Sequence, residues 1–134
     1  MAKRSRAIEQ VITCYHKALE KKDPKGAMAC LSSQFFDVGT GPADDPHSWR
    51  ISRMPRAAWK KQFKESSVVK NKLTFSHSEI NGDVAIAVAS RSGKITMPDG
   101  KGRKWKGVVD VWCLSKVKGS WKIISSIHGA IGES

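Results

Sequence analysis

The apolar positions in the first third of the chain recur at helical spacing. Ile8, Val11, Ile12, Tyr15, Ala18 and Leu19 stand three and four residues apart, which lays one apolar stripe along a helix. Asp23-Pro24 reads as a cap followed by a first-turn proline. It opens a short second helix with Ala27, Met28 and Leu31 inward and Ser32-Ser33 at its end. Phe35-Phe36-Asp37-Val38 predicts a short strand. Residues 39–55 then have the composition of a long loop, with Gly39-Thr40-Gly41-Pro42 and Asp44-Asp45-Pro46-His47-Ser48-Trp49-Arg50, and loops of that length often serve as lids or binding loops. A third helix is expected after Pro55, carrying Ala58, Trp59, Gln62 and Phe63 on one side.

From Val68 onward the period changes to two. Leu73, Phe75 and His77 alternate with Thr74, Ser76 and Ser78, and Val84, Ile86 and Val88 alternate with Ala85, Ala87 and Ala89. Turn signals at Asn81-Gly82, Pro98-Asp99-Gly100 and Lys118-Gly119 divide this stretch into four long hairpin-linked strands. Helices first and strands afterwards predict an α+β fold, with N-terminal helices packed on a curved antiparallel sheet. In residues 103–118 both strand faces are apolar: Val108, Asp110, Trp112 and Leu114 on one, Val109, Val111, Cys113 and Val117 on the other. Both faces are therefore expected to be covered. The helices account for one, and a second copy of the chain for the other, so a homodimer through the sheet is expected.

Composition narrows this picture. The 134 residues suit one domain, read as a basic tail over residues 1–6 and a single domain over residues 7–131. No apolar run approaches the ~20 residues that cross a bilayer, and the basic start is followed by an amphipathic segment rather than a signal peptide. Cys14, Cys30 and Cys113 are three and far apart, which predicts free buried thiols in a reducing cytoplasm. The net charge of +12 implies attraction to anions. The lysines are spread out, as on a solvated surface, and no nucleic-acid module accompanies them; phosphate contacts to nucleic acid remain the alternative use of this charge. No metal-ligand spacing and no phosphate-binding glycine loop is present, so no metal or cofactor is expected.

Two anchors carry a resemblance. The first is Val11-Ile12-Thr13-Cys14-Tyr15-His16-Lys17-Ala18-Leu19, then Lys22-Asp23, then Ala27-Met28-Ala29-Cys30-Leu31. The second is Gly119-Ser120-Trp121-Lys122-Ile123-Ile124, followed by His128. Together they resemble the nuclear-transport-factor-2-like superfamily, in its SnoaL-like branch, over nearly the whole chain. The resemblance implies a cone-shaped, cystatin-like fold whose open mouth admits a small, largely apolar molecule. That superfamily includes isomerases, dehydratases, cyclases and modules that only oligomerise, so function has to be argued from the site.

Comparison with the ketosteroid isomerase branch singles out Tyr15 and Asp110, which match the tyrosine and the uncharged aspartic acid of its oxyanion hole. The branch's base falls on Gly39, where no base exists; Asp37 lies two residues earlier. Asp110 among Val108, Trp112 and Leu114 is either a neutral hydrogen-bond donor or half of an internal ion pair, and Tyr15 either a pocket donor or a core residue. His128 and His77 are the remaining candidate bases. His128 lies seven residues after Trp121, where six is commoner, so a bulge is needed to keep the two on one face. His16 is expected at the periphery. Trp49, Trp59, Phe63 and Trp112 would line the pocket, with Arg50 or Arg91 near its mouth to favour an anionic group. The expected function is binding of a small molecule, with acid–base isomerisation, dehydration or cyclisation as its chemistry; a non-catalytic association module is the alternative.

Overall fold

The computed structural model describes residues 4–39, 50–52, 68–96 and 100–128. Two helices lead into a six-stranded sheet. They are α1 (Arg6–Glu20) and α2 (Pro24–Ala29), followed by β1 (Leu31–Gly39), β2 (Arg50–Ser52), β3 (Val68–Asn81), β4 (Val84–Thr96), β5 (Gly102–Val117) and β6 (Ser120–His128). The strand order is β2-β1-β6-β5-β4-β3. The α+β architecture is the expected one, helices on one face of a curved sheet.

Local chemistry explains the helix ends. The Asp23 carboxylate accepts the Gly26 N–H at 3.0 Å and Pro24 occupies the first turn, which satisfies a donor that the helix itself leaves open. α2 ends at Ala29, earlier than expected, and Leu31 is the first residue of β1. Leu31 is still buried in the core, but through a strand. Ser32 and Ser33 therefore belong to β1 rather than to a helix end. β1 is longer than the predicted segment because it has a partner: it runs parallel to β6, with Leu31 opposite Ile123 and Asp37 opposite Ser126. Strand formation follows such packing more than intrinsic preference. This pair is also the exception to an otherwise antiparallel sheet. β1 emerges from a helix rather than from a hairpin, so nothing requires it to run against its neighbour.

β2 lies within the segment expected to be loop and pairs with β1 through Val38 and Ile51. The predicted third helix, with Trp59 and Phe63, and the loop residue Trp49 fall outside the described residues. The first hairpin turns on Gly82-Asp83, one residue later than the Asn-Gly pair suggests, with Gly82 at φ 65°. Lys118 and Gly119 both take positive φ, as a two-residue turn matching strand twist requires.

The sheet turns its alanines inward. Ala85, Ala87 and Ala89 are buried, whereas Val84 and Ile86 are 53% and 38% exposed. Ala87 stands opposite Trp112 and Ala85 opposite Leu114, so small residues on β4 face large ones on β5. The volume left above β4 is filled from α1 by Ile8, Ile12, Tyr15 and Ala18. The buried arc of α1 is wider than its apolar stripe and takes in Glu9 and His16.

Glu9 is satisfied by a network. Arg4 reaches it with two guanidinium nitrogens at 2.6 and 3.1 Å, and the Ser78 hydroxyl donates to it at 2.8 Å. The Arg4 hydrogen bond holds the Glu9 carboxyl below its usual range, against the opposing effect of burial. Ser78 reaches inward because of a bulge: Phe75 pairs with Ala89 but His77 pairs with Val88, so one extra residue, Ser76, reverses the alternation beyond it. This corrects the expectation that His77 shares the face of Leu73 and Phe75.

Replacing Ala87 by leucine overfills the space between β4 and α1. It is expected to cost about 1–3 kcal/mol of unfolding free energy, read from the midpoint of urea denaturation. A midpoint unchanged from wild type would show that this face is not packed as described.

A candidate active site on the inner face of the sheet

The strand registers align residues of neighbouring strands in rows. One row runs Ala87, Trp112, Ser126, Asp37; the next runs Ala89, Asp110, His128, Gly39; Arg91 stands opposite Val108 in the row beyond. α1 lies over the first row. The rings of Tyr15 and His16 meet the Trp112 ring edge-on, with centroids 6.0 and 5.2 Å away, a favourable aromatic arrangement.

Two polar pairs stand on this face. The Ser126 hydroxyl donates to Asp37 Oδ1 at 2.7 Å. One row away, Arg91 Nε donates to Asp110 Oδ2 at 2.5 Å, with Nη2 at 3.4 Å from Oδ1. Asp110 is wholly buried and the Arg91 side chain is 16% exposed. A guanidinium so close favours the ionised carboxylate. Of the two states that the sequence leaves open for Asp110, the structure contains the ion pair. Tyr15 is pushed above the usual phenol value, chiefly by burial and next by the negative charge of Asp37. The phenol is therefore kept neutral.

The other candidates fall differently. Trp112 is a core residue beneath α1. His77 sits on the outer face, 38% exposed, with Nε2 at 3.3 Å from Glu79. The seventh residue between Trp121 and His128 is absorbed by a bulge in β6, where Cys113 pairs with Ser125 but Leu114 with Ile123. The backbone of His128 therefore stands opposite Asp110 on one side and Gly39 on the other. Several clefts lie away from Tyr15 and Asp110. One, of about 660 Å³, is lined by Leu31, Phe36, Val117, Lys122 and Ile124.

The SnoaL-like domain model matches residues 8–130. The chain belongs to the SnoaL-like domain family. A search of curated proteins gives no match. Among solved structures, a conserved protein from Planctomyces limnophilus superposes with a TM-score of 0.73 at 16% identity, covering 90% of this chain and 91% of that one. A ketosteroid isomerase-like protein from Erwinia carotovora atroseptica gives 0.72 at 15% identity, covering 94% and 95%. A nuclear-transport-factor-2-like protein of unknown function from Shewanella baltica gives 0.59 at 21% identity, covering 91% and 89%. At these identities the likeness is one of fold.

In this SnoaL-like domain two residues stand elsewhere than the sequence suggests, His16 and Arg91, and a third, Ser126, carried no signal in it. His16 is buried rather than peripheral. Its signal was present, since it follows Ile8 and Ile12 at successive four-residue steps, on the same helical face. Ser126 could be found only through the bulge that turns it inward. Arg91, expected near a mouth, is instead the counter-ion of Asp110, a pairing set by strand register. Cys14 also departs from expectation: it is exposed, while Cys30 and Cys113 are half-buried and all three are free.

Two outcomes follow for this SnoaL-like domain. Arg91→Leu strands a fully buried carboxylate and is expected to cost about 3–5 kcal/mol, most of it regained in the Arg91→Leu/Asp110→Leu double variant. Urea denaturation of the three proteins measures this, and additive losses would contradict the pairing. Tyr15 is the single tyrosine, so tyrosinate absorbance reports it alone. Because its pKa is raised in the folded state, its contribution to stability is complete below the ordinary value of 10.0 and is lost as pH rises through the folded value. Tyrosinate is therefore expected to appear together with alkaline unfolding, whereas an ordinary titration near pH 10 in the folded protein would show an exposed phenol.

Proposed function

We propose that this SnoaL-like domain binds a small, largely apolar carbonyl compound against the inner face of the sheet and transforms it by acid–base chemistry. The observation that carries the reading is a carboxylate held on the sheet, Asp37 with Ser126, in the row whose Trp112 meets the ring of Tyr15, a phenol kept neutral chiefly by burial. A carboxylate can take a proton next to a carbonyl, and a phenol kept neutral can donate a hydrogen bond to the oxyanion that develops. Isomerisation, dehydration and cyclisation all use these two acts. Asp37 thus takes the role that Gly39 cannot. Asp110, paired with Arg91, holds the electrostatics of the next row, and His128, in register with it, is a second base. Trp49, Trp59 and Phe63, which lie outside the described residues, are proposed as the apolar wall of the site. No helix among the described residues is long and apolar enough to cross a membrane; three free thiols fit a reducing, cytoplasmic setting.

A thermal-shift panel of small aromatic, steroid-like, polyketide-like and carboxylate compounds tests this. A ligand at about 100 times its dissociation constant stabilises by ~2.7 kcal/mol, on the order of 10 °C for a domain of this size. The shift is expected to shrink in Tyr15→Phe and Asp37→Asn. Turnover, assayed by proton exchange next to the carbonyl, is expected to fall about 100-fold or more in Asp37→Asn. A ligand that binds all three proteins equally would move the site elsewhere.

A second reading rests on the outer face. Val84, Ile86, Val109 and Val117 are exposed there, a contiguous apolar surface of the kind that marks association. A homodimer through this face predicts twice the 14.8 kDa chain mass in light scattering, reduced to one chain mass by Val109→Lys. A wild-type monomer at micromolar concentration would remove the association reading and leave the pocket reading standing.

A further inference from the structure

The outer face changes character along its strands. Toward the Gly82 and Lys118 turns it is apolar. At the opposite end it is cationic: a cleft of about 410 Å³ is lined by Lys70, Lys72, Lys94 and Lys104, together with Asn71, Ser92 and Gly93. Three of these lysines are directly in register. Lys70 stands opposite Lys94 and Lys94 opposite Lys104, so they form one row across β3, β4 and β5. Strand spacing sets neighbouring members about 4.8 Å apart and the row about 10 Å long. Lys72, opposite Ser92, begins a second row on the same face.

This arrangement opposes folding. Like charges directly opposite each other on adjacent strands destabilise a sheet. Lys70, Lys72 and Thr74 on β3, Ser90, Ser92 and Lys94 on β4 and Lys104 on β5 hold outward positions at this end, and none of them is acidic. The carboxylate that reaches this region, Glu20, accepts the Asn71 backbone N–H, and Asn71 alternates with Lys70 and Lys72 and so belongs to the inner face. A β-bulge at Gly107, whose N–H donates to Ser92 Oγ at 3.3 Å, separates the cationic end from Val109. The charge is thus gathered in a shallow, exposed groove lined by four lysines and a serine hydroxyl, with no carboxylate among its described lining residues.

We propose that the lysine rows of β3, β4 and β5 form a binding site for the phosphate backbone of a single-stranded nucleic acid, recognised without regard to sequence. Successive phosphates supply what this groove needs: a line of anions able to lie along a row of cations, with serine and threonine hydroxyls as further donors. The net charge of +12 assists encounter through long-range attraction. The site is separate from the inner face, and a dimer seated on the apolar end leaves the lysine rows open.

The test is fluorescence anisotropy with a labelled mixed-sequence oligonucleotide of about 16 nucleotides, at about 50 to 200 mM potassium chloride. Three proteins are compared: wild type, Lys94→Glu at the centre of the row, and Lys25→Glu. Lys25 is exposed on α2, so its variant loses the same net charge away from the groove. Wild type is expected to bind, with affinity falling steeply as salt rises. Lys94→Glu is expected to weaken binding about tenfold and to flatten the salt dependence by about one unit or more of log–log slope. Lys25→Glu is expected to stay near wild type. Lys94→Glu relieves the repulsion within the row, so its melting temperature is expected to equal or exceed that of wild type, and misfolding then cannot account for the loss. Absence of binding at the lowest salt overturns the proposal, and so does an equal loss in both variants. Vesicles containing phosphatidylserine that bind through Lys94 while the oligonucleotide does not would also overturn it.

Discussion

The close seating of α1 on the alanine face of β4 is the constraint that the rest of the inner face depends on. Ala85, Ala87 and Ala89 leave room for a helix, and Trp112, Leu114 and Ile123 on the neighbouring strands fill the space beside it. Because the helix comes so close, residues on its flanks are drawn in with the stripe. His16 and Tyr15 meet Trp112 edge-on, and Glu9 reaches Ser78. Tight packing of this kind turns a one-residue bulge into a decision about which side chains are buried.

The polar groups admitted to that interior are arranged to offset their own burial. Arg4 and Ser78 hold Glu9 at one end of α1, and Arg91 holds Asp110 deeper on the sheet. Neither pair is strong evidence for stability: Arg4 remains largely solvated, and Asp110 and Arg91 give up hydration to meet. What they supply is position. The Asp110–Arg91 pair fixes the charge beside the row that carries Ser126 and Asp37, and Tyr15 lies over that row. The proposed acid–base chemistry draws on these groups: a neutral phenol, a carboxylate held by a serine and an ion pair one row away.

The two ends of the outer face ask for different surroundings. Apolar side chains at the turn end are best removed from water, whereas lysines at the far end are best left in it or matched with anions. The Gly107 bulge marks the boundary between them. The outer side of one sheet in a small domain thus presents two unlike surfaces, separate from the polar rows of its inner side.

Periodicity alone determined the class of this protein: helices first, strands afterwards, with Asp23-Pro24 opening α2 and glycine turns closing two hairpins. It also showed an outward-facing apolar row on β5, whereas Tyr15 and Asp110 were singled out by the resemblance to the ketosteroid isomerase branch. These features were legible because they depend on neighbours within a few residues, through side-chain alternation, capping and turn geometry. Tertiary structure decided the rest. Asp110 received Arg91 through strand register; His77 turned outward, and Ser78 and Ser126 inward, through bulges that leave no mark in composition. β1 grew to nine residues because β6 was there to pair with it. Three lysines that look scattered along the chain became one row because β3, β4 and β5 align them. Each of these outcomes follows from hydrogen bonds between strands far apart in sequence, and spacing within a single strand carries no record of where its partner begins.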